Sequence, residues 1–267
     1  MWRKRVIKIL NNTFLIIIAL AIIFVVNGYF EKAIINKKII DFKDRAEYVG
    51  VDPYLENVYY YKVTKEYDYE DVSRKTFDIE NRTNIGSKTD ILITNRNPMR
   101  GEPVLDPIVG YLSNNFFIGH ASINATDDGS RMFEVVGNAS KPERNVVIEG
   151  SNDWSNYLKD PVSPIIIGLR IKGTTEEQRN KIVEYAYEQV GKGYNYTFIF
   201  NRHNTYYCTD LVSRAAKHAG ININYDFFST TGNDMIISKK VYIFFLKEAV
   251  YEDEEIKFNI YYLEDDL

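Results

Sequence analysis

The stretch YYCTDLVSRAAKHAG, residues 206–220, decides the fold of this chain, because its single cysteine, Cys208, stands at the start of a helical pattern. The apolar residues that follow recur at helical spacing: Leu211, Val212, Ala215, Ala216 and Ala219. Gly220 is placed to end the helix. The sequence therefore predicts a helix that begins at or beside Cys208.

Cys208 has three open interpretations: an inert core residue, an intermolecular bridge or a reactive thiol. Since the chain has one cysteine, an internal disulfide is excluded. The first turn of a helix carries a partial positive charge and free N–H groups, which favour a thiolate over a thiol. The same N–H groups can stabilise the oxyanion of an attacked carbonyl. The position therefore favours acyl chemistry at a reactive thiol.

A thiolate needs a base or an ion-pair partner, and the chain has three histidines. His218 lies ten residues along the predicted helix, about 15 Å from Cys208, and is better suited to complement the helix dipole. His203 stands in a polar turn. His120 lies in a run of apolar and small residues, 117–123, which would ordinarily avoid a titratable ring. His120 is therefore the predicted partner of Cys208, with a buried core histidine as the alternative.

The first thirty residues have the pattern of a membrane anchor. Residues 9–30 carry no charge, and residues 14–26 are apolar at every position, which is long enough to cross a bilayer. Residues 26–30, VNGYF, match a signal-peptidase site poorly, so an uncleaved signal-anchor is favoured over a cleaved signal or a buried helix. Basic residues precede the span and predict a cytoplasmic N-terminus and an extracytoplasmic remainder: Arg3, Lys4, Arg5 and Lys8.

Length and composition are those of one catalytic-size domain with appendages. The chain has 267 residues, of which 45% are hydrophobic, and a net charge of −4 with no basic run outside the N-terminus. Nucleic acid is therefore not expected as a partner. We divide the chain into a cytoplasmic tip and transmembrane signal-anchor (1–30), a stalk or packing segment (31–87) and a catalytic domain (88–267).

The catalytic segment has an α+β pattern. A helix is predicted after TTEE at residues 174–177, which fits a capping box, and it ends at GKG, residues 191–193. A further helical stretch is expected at 32–49. The predicted strands are short, with turn residues between them: 90–94, 116–124, 132–136, 145–148, 165–171, 241–245 and 257–262. This order predicts an antiparallel meander packed against helices.

These segments together resemble the circularly permuted NlpC-type papain-like hydrolases, especially the YiiX/YaeF-like amidases. The resemblance covers about residues 89–241 and rests on the order of four motifs: DIL at 90–92, GH at 119–120, FEV at 133–135 and YCTDLV at 207–212. Further segments that look like family features are GYNY at 193–196, NDM at 233–235 and Ser238. The resemblance implies a permuted papain-like (NlpC-type) fold, in which an antiparallel sheet packs against helices.

Two positions depart from the family pattern. Thr89 stands where a glycine usually precedes the opening aspartate, and Thr209 and Asp210 stand in place of the Ser-Glu pair after the cysteine. Asp210 keeps a carboxylate on a shorter arm. Neither change touches the nucleophile or its base, and Asp90 itself is better explained as a cap at the start of a strand than as a catalytic group.

The resemblance implies a cysteine acyl-enzyme mechanism with His120 as the general base of Cys208. The backbone N–H of Cys208 would be the first oxyanion donor, and Tyr207 or Tyr194 could supply a second contact. The substrate would be an amide in a cell-wall peptide, a peptide or a lipid. An acyltransferase with the same dyad and a non-catalytic, membrane-tethered binding module are the alternatives. No cofactor is implied, and the scattered cysteine and histidines do not approach a zinc-ligand spacing.

Strand parity makes Glu134 the candidate that orients His120. A two-residue hairpin loop would put the two side chains on opposite faces of the sheet. A three-residue loop, 127–129, with Gly129 in the left-handed conformation, pairs Glu134 with Ser122 and makes Glu134 a diagonal neighbour of His120, about 7–8 Å away. The prediction is the three-residue loop. Ser122 or Asn124 could orient the ring instead.

Overall fold

The computed structural model describes residues 2–97, 103–104, 106–117, 119–137, 145–198, 202–224, 229–252 and 254–267. The helices are α1 (Trp2–Asp44), α2 (Asp106–Phe116), α3 (Glu176–Glu188), α4 (Cys208–His218) and α5 (Gly232–Ile237). The strands are β1 (Ala46–Val51), β2 (Val58–Val63), β3 (Ile91–Thr94), β4 (His120–Asn124), β5 (Arg131–Val135), β6 (Val147–Ser151), β7 (Ile165–Ile171), β8 (Gly193–Tyr194), β9 (Thr205–Tyr206), β10 (Val241–Glu252) and β11 (Glu255–Leu263). A short 3-10 helix, Trp154–Tyr157, follows β6.

One large sheet organises the molecule. Its strand order is β1-β2-β11-β10-β7-β3-β4-β5-β6, and within the described residues all neighbours pair antiparallel except β2 and β11. The antiparallel meander predicted from the sequence is therefore confirmed for β3 to β6. The short strands β8 and β9 form a separate parallel pair just before the cysteine helix.

The central strands are apolar because both of their faces are covered. All four residues of β3 are buried, and so are six of the seven residues of β7. The cysteine helix α4 packs against β4 and β5, and α3 packs against α4. Burial on two sides explains why β3 and β7 read as largely apolar runs rather than alternating ones, with the buried Arg170 as the exception in β7. This packing makes the sheet a rigid support for β4, which begins with His120.

The segment after residue 30 forms more of the core and of the large sheet than the sequence suggested. The first helix does not stop near residue 30 but continues to Asp44, since the chain has no proline before residue 53. The helical stretch expected at 32–49 therefore ends in β1. Strands β1 and β2 lie in the segment we expected to be a stalk, and β2 pairs with β11 of the large sheet. The segment thus contributes strands as well as packing.

Two further boundaries differ from the sequence prediction. The strand expected at 116–124 begins at His120, because α2 extends to Phe116. The capping box of α3 uses Thr175 and Gln178, one residue later than predicted. In both places the element is of the predicted type and only its first residue differs, because the ends of helices and strands depend on local hydrogen bonding.

Helix α1 is long and apolar enough to cross a membrane, by length and composition. Its most apolar stretch packs against no other part of the described structure, and side chains such as Leu15, Ile16 and Ile23 are about 60% exposed. The later turns of α1 behave differently, because Ile35 and Phe42 are buried in the core. One helix therefore has two environments along its length.

Candidate active site

Cys208 is the first residue of α4, as the helical pattern predicted. Tyr207 before it has the extended conformation of a helix N-cap, with φ −104° and ψ 165°, and its side chain does not cap the helix. The first-turn N–H groups of a helix have no partner within the helix, so they are directed towards any group bound at Cys208. The thiol is nearly enclosed, with 9% of the residue exposed.

Packing and one hydrogen bond hold α4 in place. The helix is buried along the face that carries Leu211, Val212, Ala215 and Ala216. Next to the cysteine, the Thr209 hydroxyl donates to the Thr230 carbonyl oxygen over 2.6 Å. These contacts fix the start of α4, and with it the position of the Cys208 sulfur, against β4.

The β4–β5 hairpin has the predicted register. Ser122 pairs with Glu134, and the chain reverses through a loop at residues 127–129. Gly129 takes the left-handed conformation, with φ +68°, and a Cβ there would lie 2.1 Å from the Gly86 carbonyl oxygen. The position therefore needs glycine for both conformation and space. The register puts His120 and Glu134 on one face of the sheet.

The two side chains meet on that face. His120 Nε2 and Glu134 Oε2 are 2.7 Å apart, with 22% and 19% of the side chains exposed. Trp154, which is 2% exposed, lies parallel to the imidazole with ring centroids 5.8 Å apart and an interplanar angle of 5°. Glu134 and Trp154 together determine the plane and the orientation of the ring. Because Nε2 is engaged by the carboxylate, Nδ1 is left for the cysteine.

The electrostatics of His120 connect it to both neighbours. Burial acts to lower its pKa, but hydrogen bonds to Cys208 and Glu134 and the negative charges of both groups outweigh burial and raise the pKa to about 10. The geometry therefore brings together the three residues that the sequence singled out. At neutral pH the imidazole therefore carries its proton.

The two tyrosines named from the sequence lie in different settings. Tyr207 is buried, and its hydroxyl oxygen accepts the Thr230 N–H over 2.8 Å. Tyr194 packs edge-on against Tyr196, with centroids 4.8 Å apart. Burial and the charge of Cys208 raise the pKa of Tyr194 well above its ordinary value. Tyr194 thus lies within electrostatic reach of the sulfur, while the Tyr207 hydroxyl already has a structural partner.

The other polar candidates lie elsewhere. His203 is exposed in a turn, and His218 lies in the last turn of α4 with its ring 4.9 Å from that of Tyr185. Asp90 is fully buried in an ion pair with Arg170, so it does more than cap a strand. Among the described residues, no group of three or more His, Cys, Asp or Glu side chains could hold a metal ion.

Two nearby residues have surroundings that the sequence did not indicate: Asp210 and Trp154. Asp210, two residues after the cysteine, is fully buried. Burial raises its pKa to about 6, although the positive charge of Arg214 acts to lower it. Its Oδ1 has no hydrogen-bond partner among the described residues. Trp154 reaches His120 from beyond β6. The only signal for Trp154 was a lone tryptophan in a polar turn, NDWSN at residues 152–156.

The order of the site residues along the chain completes the comparison with known folds. In papain the cysteine comes before the histidine; here the histidine on the sheet comes before the cysteine on the helix, which is the permuted order of a papain-like cysteine hydrolase. The model of one family, the permuted papain-like amidase enzymes YaeF/YiiX (C92 family), matches residues 114–256, more than half of the chain. The chain belongs to this family.

Among solved structures, the crystal structure of metalloprotein yiiX from Escherichia coli O157:H7 is similar. The two chains are 13% identical, with a TM-score of 0.43, and the match covers 59% of this chain and 95% of that one. No curated protein sequence matches the chain. The family assignment therefore rests on the match over residues 114–256.

Proposed function

We propose that this protein is a membrane-anchored cysteine amidase or peptidase that cleaves an amide, or an ester, through a thioester on Cys208. The observation that carries the proposal is the placement of His120, which has Glu134 on one ring nitrogen and Cys208 as its other partner. A nucleophile, a base and a group that orients the base are the parts that covalent acyl transfer requires. Membership of an amidase family supports an amide as the substrate.

The raised pKa of His120 supports an ion-pair form of the mechanism. In this form His120 takes the proton of Cys208 before substrate binds, and the raised pKa of His120 keeps that proton on the ring up to about pH 10. The thiolate then attacks the carbonyl carbon, and His120 delivers its proton to the departing amine. The neutral imidazole next removes a proton from water, which attacks the thioester, releases the acid and regenerates the pair. Glu134 keeps the ring in the tautomer and plane that these transfers need.

Charge on the carbonyl oxygen would be met at the start of α4. The backbone N–H of Cys208 is the first donor, since it opens the helix and belongs to the nucleophile itself. Tyr194 is the better of the two tyrosines for a second contact, because the charge of Cys208 reaches it whereas the Tyr207 hydroxyl is engaged by Thr230. Tyr207 would then support the helix start rather than touch the substrate.

We place the catalytic domain outside the cytoplasm, on a single-pass anchor. The uncharged residues 9–30 would cross the bilayer, and the basic residues before them would stay inside. A cell-wall peptide, a peptide or a lipid amide would be reached from that side. Protease added to intact cells should digest the chain beyond about residue 32 and leave the N-terminal end protected; full protection of the C-terminal region would contradict this orientation.

Trapping the acyl group tests the nucleophile. Cys208→Ser, exposed to membrane and cell-wall extracts, should accumulate an oxygen ester. The serine alkoxide is a poorer leaving group than the cysteine thiolate, so the ester is hydrolysed more slowly than the thioester. Mass spectrometry should locate the added acyl mass on the peptide that contains position 208, and Cys208→Ala should carry none. An equal adduct on Cys208→Ala, or none on Cys208→Ser, would remove Cys208 from the mechanism.

The identity of the acceptor separates hydrolysis from transfer. With native protein and ¹⁸O-labelled water, a hydrolase incorporates one labelled oxygen into the released acid. An acyltransferase instead passes the acyl group to an added amine or alcohol and releases little acid. A binding module with this fold would release neither product. One experiment therefore distinguishes the amidase from both alternatives.

A further inference from the structure

A pocket of about 370 Å³, open to solvent, lies between α1 and the large sheet. It is lined by the C-terminal end of α1, the loop after β2, Lys172 after β7 and the first residues of β10. We call it the α1 pocket. The residues proposed for catalysis do not line it, so it is separate from the candidate active site. Its space admits a tetrahedral oxyanion.

The two carboxylates that line the α1 pocket already have partners. Arg45 donates two hydrogen bonds to Glu70, over 2.8 and 2.9 Å. The backbone N–H groups of Glu66 and Tyr67 also donate to Glu70. The Tyr67 hydroxyl donates to Asp41 over 3.1 Å. Both acidic side chains are therefore satisfied without a lysine.

The two lysines that line the α1 pocket lack a carboxylate partner. Lys38 Nζ donates to the carbonyl oxygens of Ile236 and Ser238, over 2.7 and 3.0 Å, which leaves one of its three N–H groups. Lys172 Nζ lies 3.5 Å from the centroid of the Tyr69 ring. Within the described part of the chain, neither lysine forms an ion pair. Two positive charges thus share the pocket without a counter-charge of their own.

These two charges act against each other. Burial and the charge of Lys172 lower the pKa of Lys38 to about 8. Burial also lowers the pKa of Lys172, although the charge of Glu70 acts to raise it. An anion that contacts both lysines would oppose these shifts, because it favours the charged form of each amine. The electrostatics of the pocket therefore favour a negatively charged ligand.

Two further lysines flank the α1 pocket. Lys239 and Lys240 are exposed in the segment that connects α5 to β10. This segment lies against the pocket, because the Ser238 carbonyl oxygen accepts from Lys38 and the Lys240 carbonyl oxygen accepts the Lys172 N–H over 2.8 Å. The whole chain has a net charge of −4. Four lysines at one place therefore make a local positive region on an acidic protein.

The donors that are available indicate which kind of anion fits. A carboxylate is best matched by the planar fork of an arginine, whereas lysine binds phosphate as a compact charge with three rotatable donors. Arg45 is already engaged by Glu70, so the available donors of the α1 pocket are lysines. A dianion also matches two ammonium groups in charge. Phosphate meets both conditions.

We propose that the α1 pocket is a binding site for a phosphate dianion, either free or as the monoester group of a larger molecule. Lys38 on α1 and Lys172 after β7 would contact the same ion, which would tie the end of α1 to the large sheet. Because such an ion binds the folded chain and not the unfolded one, it stabilises the folded state. The site does not depend on Cys208 or on the proposed amidase activity.

Calorimetric titration tests the site in the full-length protein in neutral detergent micelles. Sodium phosphate is added at constant ionic strength, with chloride as the balancing anion. Lys38→Met and Lys172→Met each remove one charged donor and should raise the Kd about tenfold or more. Lys217→Met removes an exposed lysine of α4 and should leave the Kd unchanged.

Two results of the titration would overturn the proposal: no binding to the native protein, or a Kd that is the same in Lys172→Met and in Lys217→Met. Lys38→Met also removes two hydrogen bonds to the end of α5. If that variant does not fold, Lys172→Met decides alone, since the described contact of the Lys172 amine is with the Tyr69 ring.

Thermal unfolding identifies the source of the phosphate group. Inorganic phosphate, glycerol phosphate and phosphatidic acid mixed into the micelles are compared, and a ligand of the α1 pocket should raise the Tm. A rise with the first two indicates a soluble ligand, and a rise with phosphatidic acid alone indicates a lipid headgroup. In either case the rise should be lost in Lys172→Met and kept in Lys217→Met. A rise with none of the three, or one that persists in Lys172→Met, would contradict the proposal.

Discussion

Two ion pairs of equal length lie in neighbouring parts of the sheet and have opposite characters. His120–Glu134 and Arg170–Asp90 both have an N–O distance of 2.7 Å. The first pair has side chains 22% and 19% exposed, and the second pair is completely buried. Separation alone therefore does not tell the pair that we propose to be reactive from a structural one.

The number of partners makes the difference. Arg170 also donates to the backbone carbonyls of Asp71 and Lys75, and Asp90 also accepts from the backbone of Ser87. In such a network the charged groups are already hydrogen-bonded, so they are not available for proton transfer. One ring nitrogen of His120 contacts Glu134, and Cys208 is the other partner of the ring. A pair that leaves one polar atom uncommitted can move a proton.

Breaking the buried pair should have the largest effect. Arg170→Met leaves Asp90 buried without its main partner and should lower the free energy of unfolding by about 3–5 kcal/mol. The measurement is urea unfolding of the full-length protein in detergent micelles. Arg131→Met, which removes an exposed ion pair with Glu149, is the matched control and should cost about 1 kcal/mol or less. Similar losses for both variants would show that burial does not separate the pairs.

Glu134→Gln should affect turnover rather than stability. An amide in this place still contacts the ring but no longer stabilises the imidazolium, so kcat should fall about tenfold or more. The free energy of unfolding should change by about 1 kcal/mol or less, since both side chains reach solvent. Unchanged turnover would leave Ser122 or Asn124 as the group that orients the ring.

The pH profile sharpens the role of the imidazolium. His120 has a pKa raised to about 10, above its ordinary value of 6.5, so its proton is present at neutral pH and is lost as the pH rises through 10. The plot of kcat/KM against pH should therefore decline on the alkaline side near pH 10. In Glu134→Gln one cause of the raised pKa is gone, and the decline should begin at lower pH. A decline that stays at the same pH would assign it to another group.

Trp154→Leu should give the smallest effect. The indole keeps the imidazole plane parallel to its own, and such ring contacts contribute about 0.5–1.5 kcal/mol. Turnover should fall a few-fold, and the alkaline decline should stay in place because no charge is removed. Trp2→Leu, on an exposed turn of α1, is the control and should leave turnover unchanged. A tenfold or greater loss would make Trp154 more than a support for the ring.

Much of the site could be predicted because its parts are encoded locally. The spacing of apolar residues after Cys208 predicted where α4 starts, and the glycine at 129 with the parity of the hairpin predicted the pairing of Ser122 with Glu134. These are repeating patterns of 3.6 and 2 residues, which a sequence displays directly. The uncharged stretch at 9–30 was also visible in the sequence, and it lies in α1, which is long and apolar enough to cross a membrane by length and composition.

What the tertiary structure decided are contacts between segments that lie far apart along the chain. Trp154 stacks on His120 from beyond β6, Arg170 on β7 turns Asp90 from a cap into a buried ion pair, and α2 reaches Tyr29 across 82 residues. Side-chain periodicity fixes which face of an element is apolar but not which distant element covers it. That choice belongs to the packing of the whole domain, where shape and charge of many segments must be satisfied at once.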